Sequence, residues 1–270
     1  MKDTSPVAIR RRSFVQCGAL LLLPCAGLAL PAAAEGLPLS AAINRSGKMR
    51  ALSQRMSKAY VQNTLNVLPD RARDIQTASR QLLTSSITEI GGGSLSTDTH
   101  RLLQTLDKDC QGLLESANAR KDVLEVARSA DVVLEAADRL TKAFETQSQA
   151  GNARIVNIAG RQRMLSQRAA RAYFLVAAGH DTPAVRTQLT NARNEFVQGL
   201  STLQAAAIST PAIRNELELA KSQWLFYDGA LAKTPNPDAL QTVATTSERV
   251  FEVMDNLTSL YDAALRDLLG

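Results

Sequence analysis

The sequence is poor in aromatic residues, at 4%, and holds only 14 Gly and 9 Pro in 270 residues. Sheet folds draw on aromatic and β-branched strands punctuated by Gly and Pro, so this shortage favours helix. Three cysteines exclude a disulfide-built scaffold. The two histidines, His100 and His180, have no Cys, His or Glu at metal-ligand spacing. Gly-rich phosphate loops, Gly-x-Ser-x-Gly elbows, paired-carboxylate signatures and Glu-x-x-His motifs are missing. The chain therefore reads as non-enzymatic, with no cofactor. Disorder is excluded by a 45% hydrophobic content and a net charge of only +5.

Residues 1–34 read as an export signal. Arg10-Arg11-Arg12-Ser13-Phe14 precedes an apolar run from Gly18 to Leu30, and Ala32-Ala33-Ala34 offers a cleavage site before Glu35. The apolar run is short for a membrane span, and no later run is long enough. Paired arginines followed by Phe14 resemble a twin-arginine signal. Val15 and Gln16 depart from that pattern and leave the Sec route open. The expected product is periplasmic, and with few aromatics it is not expected to bind nucleic acid. Cleavage would remove Cys17 and Cys25. Cys110 falls in the pattern Leu103, Leu106, Cys110, Leu113 and reads as a small buried apolar residue.

The remainder has helical periodicity nearly throughout. Val123, Ala127, Ala130, Leu134, Ala137, Thr141 and Phe144 recur in steps of four and three, the stripe that a bundle helix buries. Pro, Gly and Asp clusters separate such stripes. They predict eight helices near 39–67, 70–90, 96–118, 120–149, 152–178, 183–208, 211–232 and 237–268. Trp224, Phe226 and Tyr227 are expected to anchor helix packing.

The chain also repeats itself. Asn44 to Tyr60 aligns without gaps on Asn157 to Tyr173, with nine of 17 positions identical at an offset of 113 residues. The predicted fold is all-α. Two tandem antiparallel four-helix bundle units, 35–150 and 151–270, follow the signal peptide.

On a helical wheel, Met49, Leu52, Met56, Ala59 and Tyr60 form one apolar face, and Gly47, Arg50, Gln54 and Lys58 lie opposite. The second copy sets Gly160, Arg163, Gln167 and Arg171 on the corresponding face. A mid-helix Gly costs about 0.8–1.0 kcal/mol relative to Ala, so its recurrence implies a close approach to the backbone. The Arg and Gln beside it are donors suited to an anion or a polar oxygen. Each motif also lies in an acid-free stretch holding five cations, one from Gly36 to Pro69 and the other from Thr146 to His180. Such stretches concentrate anions. The same arginines would equally serve as partners for Glu135, Asp138 or Glu252, or as a solvated face. Ser53 and Ser166 also recur, and they read as packing residues.

The run Asn157-Ile158-Ala159-Gly160-Arg161-Gln162-Arg163-Met164-Leu165-Ser166-Gln167-Arg168 closely resembles the signature of the PilJ-type domain. That domain is the N-terminal sensor of type IV pili methyl-accepting chemotaxis transducers and is related to the periplasmic domains of nitrate/nitrite sensors. The first copy is similar but has Ser46 for Ala and Ala51 for Met. The resemblance implies an all-helical periplasmic sensor that binds a small anion, nitrate or nitrite first. The implied ligand-binding residues are Gly47, Arg50, Gly160 and Arg163, with Gln54 and Gln167 on the same face. It also implies a membrane sensor or transducer as partner, since neither a second span nor an output module precedes Gly270. The two motif helices would meet either within one chain or across a homodimer. The alternative is an envelope scaffold protein, serving a pilus, a chemoreceptor or an exported enzyme, that binds no small ligand.

Overall fold

Prolines and short polar side chains set the helix starts. The computed structural model describes residues 37–149 and 151–269. These form eight α-helices and, among the described residues, no strand: α1 (Leu39–Thr64), α2 (Pro69–Gly91), α3 (Thr97–Asn118), α4 (Val123–Ser148), α5 (Ala153–Ala177), α6 (Pro183–Gln204), α7 (Pro211–Leu231) and α8 (Pro237–Leu269). Pro69, Pro183, Pro211 and Pro237 each open a helix, where the missing N–H breaks no hydrogen bond. Ser96, Asp122, Thr182 and Thr210 cap α3, α4, α6 and α7 by accepting from backbone N–H groups. The export signal read over 1–34, with Cys17 and Cys25, lies outside the described residues.

The expected helices stand, with three ends corrected. α1 stops at Thr64 rather than 67 because Asn66 turns left-handed at φ 56°, and the Val67 N–H folds back to the Gln62 carbonyl at 3.0 Å. Arg120 at φ 53° closes α3 in the same way, so α4 begins at Val123 rather than 120. α6 ends at Gln204, short of the expected 208. Beyond the end of α5 at Ala177, Gly179 turns left-handed at φ 89°, and the His180 N–H reaches the Leu175 carbonyl at 2.9 Å. Glycine takes this conformation without strain.

The two repeated helices are the central ones. In α1, 17 of 26 residues are buried, and in α5, 17 of 25, against six of 23 in α2. α1 packs on α2, α4 and α5, and α5 packs on α1, α6 and α8; α3 lies on α4 and α7 on α8. Each set of four consecutive helices is thus a bundle. The two sets meet along a seam between α1 and α5, and their buried apolar residues form one continuous core. The motif helices therefore meet within one chain.

Trp224 stacks on Phe196 with ring centroids 3.8 Å apart and meets Tyr227 edge-on at 5.5 Å. Phe226 does not join them: it is 69% exposed on α7, beside exposed Leu225. Cys110 is buried, and burial, with Asp107 and Asp109, pushes its thiol up to about 12. It remains a protonated, apolar thiol at neutral pH.

A Cβ at Gly199 on α6 would stand 1.8 Å from Nε2 of Gln162 on α5, and Gln162 is only 1% exposed. Gly199→Ala is expected to lower stability in urea denaturation by about 1–3 kcal/mol, despite alanine's better helix propensity. Adding Gln162→Ala should recover most of that loss. Gly229→Ala, whose Cβ meets nothing, should not destabilise.

Candidate functional site

The polar face of each repeated helix is buried rather than solvated. Arg50, Lys58, Arg163 and Arg171 are at most 1% exposed. A buried cation is tolerated only when paired and hydrogen-bonded, and the acids come from α4 and α8. Arg50 Nη1 donates to Asp138 Oδ1 of α4 at 2.7 Å, and its Nη2 to Asn157 Oδ1 of α5 at 2.7 Å. Arg163 repeats this in reverse. Its Nη1 donates to Asp255 Oδ1 of α8 at 2.6 Å, and its Nη2 to the Asn44 carbonyl of α1 at 3.1 Å. Each motif helix therefore sends its Arg across the seam to the other. The two Asn side chains donate to acids in turn, Asn157 to Glu145 and Asn44 to Asp262.

The two glycines make room for these guanidiniums. A Cβ on Gly47 would lie 3.1 Å from Arg50 Nη2 and 3.8 Å from Arg163 Nη2. On Gly160 it would lie 3.0 Å from Arg163 Nη2 and 3.8 Å from Arg50 Nη2. The close approach expected at these glycines is thus made by the chain's own arginines. Burial lowers the Arg50 pKa to about 10, Asp138 opposes the drop, and Arg161 and Arg163 add to it. The group stays charged at neutral pH.

The carboxylates are shared. Asp138 also takes Lys142 at 2.8 Å, and Asp255 also takes Lys48 at 2.7 Å. Burial would raise both aspartates, but these cations outweigh it and hold both below the ordinary carboxylate range. Arg50, Arg163, Lys48 and Lys142 thus divide two carboxylates between them.

Further along the helices, Lys58 and Arg55 share Glu248 at 2.6 and 2.5 Å, and Arg171 reaches Asp131 at 3.0 Å. Gln54 donates to the Ala130 carbonyl at 3.1 Å and Gln167 to the Ser247 carbonyl at 2.8 Å. Gly47, Arg50, Gly160 and Arg163 are therefore brought together, whereas Gln54 and Gln167 are engaged with α4 and α8. Of the three acids expected as partners, Asp138 serves. Glu135 and Glu252 bind none of these cations, and Asp131, Glu248 and Asp255 do. Ser53 and Ser166 donate to the carbonyls of Arg50 and Arg163, which is a packing role. Sequence reasoning missed Asn44 and Asn157 as site residues, although their identity in both copies was a usable signal. Asp255 and Lys142 had no such signal, because they lie outside the motif.

Residues 144–248 match the family described as type IV pili methyl-accepting chemotaxis transducer N-term, PilJ. Residues 144–248 are thus similar to a PilJ domain. The match runs from the end of α4 into α8 and contains the second motif, while the first motif lies outside it. No curated protein and no solved structure matches the chain. The PilJ domain relates the chain to the sensory and signalling part of chemotaxis transducers. Among the described residues, no helix is long and apolar enough to cross a membrane.

Glu248 sets a pH dependence. Burial pushes its carboxyl up, but Lys58 and Arg55 outweigh burial and hold it at about 2, against an ordinary 4.5. A depressed folded pKa gives stability that is complete above the ordinary value and is lost as pH falls toward the folded one. Stability followed by thermal melts should therefore fall between pH 4.5 and about 2, by about 3 kcal/mol from this group. Glu248→Gln should flatten that response. It should also cost about 3–5 kcal/mol at neutral pH, because Lys58 loses its partner.

Proposed function

We propose that this chain is a periplasmic, non-enzymatic sensory protein that takes a small monovalent oxyanion at the α1–α5 seam and reports it through a membrane-bound transducer or sensor. Nitrate and nitrite are the first candidates. The observation that carries this reading is the convergence of two guanidiniums, one from each motif helix, on the same two glycines. There, Asp138 and Asp255 are each shared by an arginine and a lysine, and Glu145 and Asp262 hold the two asparagines. Guanidinium donors gathered at one place suit an anion, and the buried setting strengthens each charge-assisted hydrogen bond. Binding between α1 and α5 would change how the two bundles pack, which is how a ligand would bias a signalling state. The PilJ match supports a transducer-related role and a membrane signalling partner. The reading of 35–150 and 151–270 as tandem copies is likewise ours; the reciprocal Arg50 and Arg163 contacts support it.

A second reading is an envelope scaffold without a small ligand. It is favoured by the fact that both arginines already have a carboxylate and a partner oxygen on the opposite helix. In that case the seam is purely structural.

Calorimetric titration of the signal-free chain with nitrate and nitrite separates the two. The sensory reading expects saturable binding that Arg50→Lys and Arg163→Lys each weaken by about tenfold, since a charge-assisted hydrogen bond contributes about 1.5–3 kcal/mol. Lys142→Gln, at an exposed side chain, should weaken binding without unfolding the protein. Absence of binding at millimolar concentrations would leave the scaffold reading.

A further inference from the structure

The two copies of the motif end on the same residue type, Tyr60 and Tyr173, yet their hydroxyls fare differently. Tyr60 donates to the Lys121 carbonyl at 2.6 Å. Tyr173 is 2% exposed, and its hydroxyl has no hydrogen-bond partner. A buried hydroxyl left unpaired forfeits its hydration without compensation, and such groups in folded proteins call for an explanation.

Tyr173 lines a cleft of about 370 Å³ between α5, α6 and the turn joining α7 to α8. That size lies in the range of small-molecule sites. Val176, Leu189 and Leu231 give it an apolar wall, and Arg186, Arg193 and Lys233 bring positive charge. Arg186 is paired with Asp181, and Arg193 holds Asp228 through two bonds of 2.6 and 3.0 Å. Lys233 has no carboxylate partner among the described residues. The cleft therefore combines an apolar wall, one unneutralised ammonium and one buried phenol. Burial raises the Tyr173 pKa, so the phenol remains a donor at neutral pH and lacks only an acceptor oxygen.

We propose that this cleft is a second ligand site, distinct from the α1–α5 seam, for a small organic carboxylate with an apolar body. One carboxylate oxygen accepts from the Tyr173 hydroxyl, Lys233 balances the charge, and the aliphatic or aromatic body lies against Val176, Leu189 and Leu231. The first half of the chain has no counterpart, because there the Lys121 carbonyl satisfies Tyr60.

The test is calorimetric titration of the signal-free chain with benzoate and with hexanoate, and with benzyl alcohol as an uncharged control. At least one carboxylate should bind saturably, and benzyl alcohol should not displace it. Tyr173→Phe keeps the ring and should weaken binding by about tenfold. Lys233→Gln should weaken it as well, while Tyr60→Phe should leave it unchanged. Arg163→Lys should also leave it unchanged, so failure of the seam site and failure of this one are separable. No binding of either carboxylate at roughly 10 mM, or equal binding by a Tyr173→Phe protein that melts normally, would overturn the proposal and leave the hydroxyl to ordinary water.

Discussion

Four cations sit fully buried on the two central helices, and the rest of the architecture is arranged to neutralise them. Arg50, Lys58, Arg163 and Arg171 cannot be left unpaired in the interior, where desolvation of a charge costs far more than a surface ion pair returns. α4 and α8 supply the acids, with Asp131 and Asp138 on one and Glu248 and Asp255 on the other. Those four pairings fix how α4 and α8 rotate and slide against α1 and α5. The apolar stripes supply most of the burial, but apolar contacts alone tolerate slippage. The ion pairs do not, because a misplaced partner strands a charge.

The same constraint makes the seam unusual. Arg50 and Arg163 each cross to the opposite motif helix for a second partner oxygen, so α1 and α5 are tied reciprocally. The glycines keep space for the guanidiniums, Asp138 and Asp255 are each shared with a lysine, and Glu145 and Asp262 hold the two asparagines. A helix pair held by charged hydrogen bonds responds more readily to a charged ligand than a pair held by aliphatic packing, since the ligand competes for the same donors.

Helix count and positions were legible because period and breakers agreed, and the misses fell at ends. Asn66 and Arg120 adopt left-handed backbone in stretches whose apolar pattern continued, and periodicity carries no information about φ. The motif pointed to Gly47, Arg50, Gly160 and Arg163, which do come together. Gln54 and Gln167 shared their face on a wheel but serve other neighbours, because each central helix is surrounded and a single face divides among several partners. Phe226 was grouped with Trp224 and Tyr227 by residue type; its place on α7 turns it outward.

The sequence by itself determined the all-helical class, the internal repeat and the concentration of cations in two acid-free helices. Each is written in local spacing and composition. Only the tertiary structure decided that those helices lie at the centre, that they meet within one chain, and which acids answer which cations. Those choices depend on residues from separate helices arriving at one place. The motif spacing specifies where an arginine lies on its helix, but not which carboxylate stands opposite.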